Sequence, residues 1–268
     1  MAITKGPVKA LILDFSNVLC SWKPPSNVAV PPQILKMIMS SDIWHDYECG
    51  RYSREDCYAR VADRFHISAA DMEDTLKQAR KSLQVHHETL LFVQQVKKDA
   101  GGELMVCGMT NTPRPEQDVM HSINAEYPVF DRIYISGLMG MRKPSICFYQ
   151  RVMEEIGLSG GAIMFIDDKL ENVIAAQSVG IRGVLFQSQQ DLRRVVLNFL
   201  GDPVHRGLQF LAANAKKMDS VTNTGDTIQD NFAQLLILEL AQDRYGGGVV
   251  AQMIQCRTIR LTDRTGNW

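Results

Sequence analysis

Five short, continuously apolar runs, spaced by stretches of helical periodicity, constrain this chain more than any other feature. They are residues 9–14 (KALILD), 104–109 (LMVCGM), 133–136 (IYIS), 162–167 (AIMFID) and 183–186 (GVLF). A short run without apolar–polar alternation suits a strand buried on both faces of a parallel sheet. Between the runs, residues 146–156 (ICFYQRVMEEI) place Phe148, Val152 and Ile156 on one helical face, and residues 172–179 (NVIAAQSV) form a second helical pattern. Strands alternating with helices imply right-handed crossovers. The expected fold class is α/β, a doubly wound parallel sheet.

Two intervals break the alternation. Residues 22–101 open with Pro24, Pro25, Pro31 and Pro32 and continue with helical patterns. Within them, Ser53-x-x-Asp56 and Ser68-x-x-Asp71 have the form of capping boxes with Asp in place of Glu. So long a stretch is not a structureless loop, so it reads as a helical insert in a core made of residues 7–21 and 102–195. Residues 196–268 read as a C-terminal helical extension, with helical patterns at 202–218 and 226–244 and an apolar block at 232–240 (FAQLLILEL).

Composition narrows the partners. With 29 Lys and Arg against 30 Asp and Glu, the net charge of -1 removes the electrostatic case for nucleic acid or an anionic membrane. No stretch approaches the roughly 20 apolar residues of a membrane span, and the first residues do not read as a secretory leader. Six cysteines without a C-x-x-C pair read as free thiols of a reducing compartment, so the expected location is cytoplasmic.

In a parallel sheet, chemistry gathers beyond the carboxyl ends of the strands. Four such ends carry notable residues: Asp14, Thr110-Asn111, Lys143 and Asp167-Asp168. Taken singly, each has a plainer use as a turn, a cap or a solvated charge. Taken together, they make a phosphoryl-transfer site. A carboxylate can accept a phosphoryl group, Thr and Lys can hold its equatorial oxygens, and clustered carboxylates offer the hard oxygen ligands that suit Mg²⁺. The His45 and His86-His87 positions have no metal-ligand spacing and carry no zinc reading.

In this order and on these strand ends, Asp14-Phe-Ser-Asn-Val18, Thr110-Asn111, Arg142-Lys143-Pro144 and Asp167-Asp168-x-x-x-Asn172 resemble the four motifs of the haloacid dehalogenase-like (HAD-like) superfamily. The resemblance covers about residues 7–190 and is nearest to members with a helical cap after the first motif. It implies Asp14 as nucleophile, Thr110 and Lys143 as catalytic partners, and Asp14, the Ser16 carbonyl, Asp167 and Asp168 around Mg²⁺. It further implies Asn111 and Ser16 as substrate contacts, and Trp44 with Trp22 and Tyr47 as wall residues against the substrate under the cap, aromatics that core packing explains at least as well. One departure stands out: Ser16 occupies the position where HAD-like phosphatases carry an Asp acid–base. Losing such a group usually costs about two to four orders of magnitude in rate. A diphosphate leaving group would need little protonation, and Glu48 in the insert is a candidate replacement acid. The D-D pair, with its implied cation, argues against a haloacid dehalogenase.

The segment 202–244, the insert sequence IWHDYECGRYSREDC and the Ser16 substitution are similar to fungal HAD-like proteins of drimane-type sesquiterpene biosynthesis. That similarity implies a phosphatase acting on a small-molecule sesquiterpenyl phosphate or diphosphate in terpenoid secondary metabolism. Two alternatives stay open. One is a terpene cyclase-like protein that binds diphosphate, with 196–268 a truncated cyclase-like segment; Asp167-Asp168-x-x-Glu171 also has the spacing of a terpene-synthase metal motif. The other is a non-catalytic partner that self-associates or docks on a full-length synthase through the C-terminal helices.

Overall fold

The apolar runs become one parallel sheet in the computed structural model, which describes residues 8–22 and 28–201. The chain begins with β1 (Ala10–Leu13), β2 (Cys20–Ser21), α1 (Pro32–Met39), α2 (Asp42–Glu48), α3 (Arg54–Phe65), α4 (Ala69–Lys81), β3 (Gln84–Val85) and α5 (His87–Asp99). It continues with β4 (Met105–Thr110), α6 (Asp118–Glu126), β5 (Arg132–Ile135), α7 (Ser136–Met139), α8 (Ile146–Ile156), β6 (Ile163–Asp167), α9 (Leu170–Ser178), β7 (Arg182–Leu185) and α10 (Gln189–Gly201). The expected C-terminal extension beyond residue 201, with its apolar block at 232–240, lies outside the described residues.

The sheet order is β5-β4-β1-β6-β7, and all four pairings are parallel. The expected doubly wound α/β fold is the one observed. The chain fills one side of β1 with β4 and β5, then crosses to the other with β6 and β7. The order therefore reverses around β1, and a crevice opens at the carboxyl ends of the central strands. Register brings those ends level: Leu13 faces Gly108 on one side and Ile166 on the other.

Burial follows the pleat. Ala10 and Ile12 of β1, Cys107 and Met109 of β4, and Ile163 and Phe165 of β6 pack with Phe148, Tyr149 and Val152 of α8 and Ala175 and Ala176 of α9. Alternate residues of each strand point to this face, as the two-residue period requires. Gly108 shows why one strand position lacks a side chain. A Cβ there would lie 2.4 Å from the ring of Phe15, which is fully buried just beyond β1.

Helices α1 to α4 share a second apolar core built from Val30, Ile38, Trp44, Tyr47, Cys57, Tyr58, Val61, Met72 and Leu76. Their polypeptide leaves and returns through a narrow neck, where β2 and β3 pair antiparallel. His86 fastens this neck: its backbone N–H donates to the Leu19 carbonyl at 2.8 Å, and its ring nitrogens reach the Val18 carbonyl and Ser21 Oγ. Farther out, Arg54 of α3 and Arg80 of α4 both donate to Glu116 Oε1, each at 2.9 Å. Among the described residues, no helix is long and apolar enough to cross a membrane, and Cys20, Cys49, Cys57, Cys107 and Cys147 are free thiols.

Both expected serine caps are present. Ser53 Oγ accepts from the Asp56 N–H, and Ser68 Oγ accepts from those of Ala70 and Asp71. Each satisfies amide donors that the first helical turn leaves unpaired. Ser53→Ala and Ser68→Ala are each expected to lower the unfolding free energy by about 1 kcal/mol, read by urea denaturation.

Candidate active site

Asp14 follows β1 directly, and its backbone N–H continues the ladder to the Ile166 carbonyl at 2.9 Å. The chain then turns sharply: Leu19 and Cys20 both donate to the Phe15 carbonyl, and Asn17 takes a left-handed conformation (φ 62°) that Asn tolerates. This turn points the Asp14 carboxylate into the crevice and leaves Ser16 half-buried beside it.

Lys143 organises the crevice. The residue is 1% exposed, and its ammonium donates to Asp14 Oδ1 at 2.6 Å, Asp167 Oδ2 at 2.6 Å and the Met109 carbonyl at 2.8 Å. An ammonium has three donors, and all three are satisfied. Asn111 holds the backbone that presents this lysine, because its side-chain amide accepts from the Lys143 N–H and donates to the Lys143 carbonyl. Burial opposes the lysine's charge, but the two carboxylates outweigh it and hold its pKa above the ordinary value. For Asp14, burial is the largest influence and raises the carboxyl above the usual range. Lys143 opposes that rise, and the Asp167 charge adds to it.

The two adjacent aspartates differ in their surroundings. Asp167 is fully buried, and both of its oxygens are occupied by Lys143, the Lys169 backbone N–H and the Asn172 amide. Asp168 Oδ2 accepts from Asn17 at 2.8 Å, while its Oδ1 is buried with no partner among the described residues. Carboxylate oxygens from Asp14, Asp167 and Asp168 lie within 4.8 Å of one another. An orphaned buried acceptor in a three-carboxylate cluster fits a hard divalent cation. The hydrogen bonds leave Asp14 and Asp168 freer than Asp167 to ligate it.

Thr110, 1% exposed, ends β4 and bonds Thr112 through their hydroxyls at 2.9 Å. Thr112 N–H donates to Ser136 Oγ, which donates in turn to the Glu48 carbonyl at the end of α2. A hydrogen-bond chain therefore runs from the strand end to the helical insert. Gly50 lies against the same junction, where a Cβ would meet the Gly137 carbonyl oxygen at 2.5 Å.

The Glu48 carboxylate is buried and takes bonds from Arg142 Nε at 2.7 Å and Trp44 Nε1 at 3.1 Å. Burial raises its pKa against the pull of Arg142. Trp44 itself is 7% exposed and packs inside the helical core, edge-on to Tyr47. Tyr47 is buried and Trp22 is 39% exposed. Sequence reasoning singled out Asp14, Thr110, Asn111, Lys143, Asp167 and Asp168, and the fold gathers all six around the crevice. It passed over Asn17, Thr112 and Ser136, whose partners lie 151, 2 and 88 residues away in the chain.

Two outcomes test this arrangement. Lys143→Met strands Asp14 and Asp167 as buried unpaired charges and is expected to lower stability by about 3–5 kcal/mol, read by denaturant unfolding. His45 on α2 has its pKa lowered to about 4 by burial, together with Arg142 and Lys169. An unfolded histidine titrates near 6.5, so the neutral ring contributes stability above that pH and loses it as the pH falls toward 4. Across that window wild type is expected to lose more stability than His45→Gln, measured by thermal unfolding at stepped pH.

Comparison with known proteins follows the same lines. Residues 204–250 match the sesquiterpene cyclase astC-like C-terminal domain. Drimenol cyclase drtB of Aspergillus calidoustus is 38% identical over 236 residues, 88% of this chain and 45% of that protein, so the chain spans less than half the cyclase's length. Sesquiterpene phosphatase astK of Aspergillus oryzae is 34% identical over 176 residues, 66% of this chain and 88% of that one. A HAD family enzyme of Bacteroides thetaiotaomicron, solved as a magnesium complex, superposes with TM-score 0.55 at 18% identity over 71% of this chain and 98% of its own.

Proposed function

The chain belongs to the HAD-like superfamily, in the group that contains drtB and astK, and on that premise we propose that it is a Mg²⁺-dependent phosphatase. Its substrate is a phosphate or diphosphate ester, and we infer a drimane-type sesquiterpenyl group as the organic part. One observation carries the reading above all: the buried Asp14–Lys143–Asp167 network beside the orphaned Asp168 oxygen. The name of astK supports phosphate release, and the names of both relatives support a sesquiterpenoid substrate.

In this mechanism Asp14 is the nucleophile. One carboxylate oxygen forms a bond to phosphorus, the ester P–O bond breaks, and its electron pair leaves on the departing oxygen. Asp14 surrenders its charge as the aspartyl phosphate forms. Lys143 is then released from that partner to donate to the phosphoryl oxygens, with the Thr110 hydroxyl beside it. Asp167 and Asn111 keep the lysine aimed throughout. Asp14, Asp168 and the Ser16 carbonyl would hold Mg²⁺, with Asp167 in support. When bound there, the cation supplies Lewis-acid stabilisation of phosphoryl charge. Water then attacks the aspartyl phosphate and restores Asp14. Helices α1 to α4 act as a cap over the organic part of the substrate.

A second reading has its own support. The match of 204–250 to the astC-like C-terminal domain, with the drtB similarity, favours a cyclase-like protein whose HAD-like part binds diphosphate. Phosphate release and organic products from farnesyl and drimanyl mono- and diphosphates separate the two. With Mg²⁺, inorganic phosphate is expected, and Asp14→Asn should reduce its release by at least about a thousandfold. Chelation by EDTA should abolish it. Cyclised hydrocarbon skeletons from farnesyl diphosphate, with no Asp14-dependent phosphate release, would establish the second reading instead.

A further inference from the structure

The two aspartates freest to ligate a cation each have one oxygen taken by a nitrogen donor and the other without a hydrogen bond among the described residues. For Asp14 the donor is the Lys143 ammonium, which bonds Oδ1 at 2.6 Å. For Asp168 it is the Asn17 side-chain amide, which donates to Oδ2 at 2.8 Å from 151 residues earlier in the chain. The other Asp168 oxygen, Oδ1, is the buried acceptor left open. Asp167 differs, since Lys143, the Lys169 N–H and the Asn172 amide occupy both of its oxygens.

Asn17 is exposed, so packing does not fix its position. The backbone does. Its N–H donates to the Cys20 carbonyl at 2.6 Å, and its neighbour Ser16 pairs with Cys20 in a single β-bridge. Within this turn the left-handed φ of 62° suits few residues, and Asn is one of them. Asn also carries the amide donor that Asp168 accepts. Gly would keep the turn and lose the donor, whereas Asp would keep the length and present a second acceptor to Asp168. The hydrogen bond pins the plane of the Asp168 carboxylate and draws charge from Oδ2, which makes Oδ1 its single strong ligand atom. One oxygen from each of two carboxylates suits Mg²⁺, which takes a near-ideal octahedron of ligands at about 2.0–2.1 Å. Ca²⁺ takes roughly six to eight oxygens and often engages both oxygens of a carboxylate.

We propose that Asn17 determines which cation the site accepts: by holding Asp168 Oδ2 it restricts Asp168 to ligation through one oxygen and sets a preference for Mg²⁺ over Ca²⁺. This rests on the Mg²⁺ site of the proposed function and concerns its selectivity, whatever the organic substrate. Asn17 acts through Asp168 and is a positioning residue. Selectivity is a difference of two affinities. Removing the amide loosens the carboxylate that Mg²⁺ needs held, and it frees the second oxygen that Ca²⁺ can use.

The test measures cation binding to the full chain without substrate. Bound Mn²⁺ is followed by electron paramagnetic resonance and displaced with Mg²⁺ or with Ca²⁺, for wild type, Asn17→Gly and Asn17→Asp. Wild type is expected to release Mn²⁺ to Mg²⁺ more readily than to Ca²⁺. Asn17→Gly should lower the ratio of Mg²⁺ to Ca²⁺ affinity about tenfold or more, with thermal unfolding in EDTA confirming that the turn still folds. Asn17→Asp, which replaces the donor by an acceptor of the same length, should shift the ratio in the same direction, and it decides alone if the Gly variant does not fold. An unchanged ratio, or equal losses for the two cations as a damaged turn would give, overturns the role of Asn17 and leaves the Mg²⁺ site standing. Wild-type protein that binds neither Mn²⁺ nor Mg²⁺ overturns both.

Discussion

Everything in the crevice depends on one buried ammonium. Lys143 sits where water does not reach, bonded to Asp14, Asp167 and the Met109 carbonyl. An isolated charge there would be severely unfavourable, and so would either carboxylate. Each tolerates burial because the others are present at 2.6 Å. The network also joins segments distant in sequence: the end of β1, the end of β4, the turn before α8 and the end of β6.

The second constraint is the junction between the crevice and the helices α1 to α4. Ser136 passes a hydrogen bond from Thr112 to the Glu48 carbonyl, while the Glu48 side chain holds Arg142. Gly50 allows the two backbones to touch, since its positive φ and the nearby Gly137 oxygen leave no room for a side chain. One residue of α2 thereby contacts the core through both its backbone and its carboxylate. Placement of the helices and orientation of a cationic side chain at the crevice are mechanically one thing. That coupling explains why Trp44, buried in the helical core, still bears on the crevice: its indole N–H fixes the Glu48 oxygen that Arg142 does not take.

Most of the sheet was legible because strands buried on both faces must be apolar throughout, and few other structures need such runs. Each of the five strands falls within one residue of its expected start and end. The Ser53 and Ser68 caps were legible for a similar reason, since a helix start leaves the same amide donors unpaired in every protein. Asp14, Lys143 and the Asp167-Asp168 pair stood out because chemistry gathers beyond the carboxyl ends of parallel strands and because the four residues together make a phosphoryl-transfer set. Trp44, by contrast, read equally as a wall for substrate and as core. Its place in the helical core follows from how α2 packs on α3, which an aromatic residue in a helix does not announce by itself.

What the sequence by itself determined is the five strands of the parallel sheet and the residue types at their ends, because periodicity and solvation are local properties; the β2–β3 pair and the strand order were not in it. Who partners whom was decided only by the tertiary structure. Asn17 reaching Asp168, Ser136 linking Thr112 to the helices, and Glu48 bracing Arg142 all join residues that share no motif or spacing. The different standing of the adjacent aspartates, one saturated and one with a buried open oxygen, belongs with them. A hydrogen bond depends on where two atoms are in space, and folding alone brings those atoms within reach.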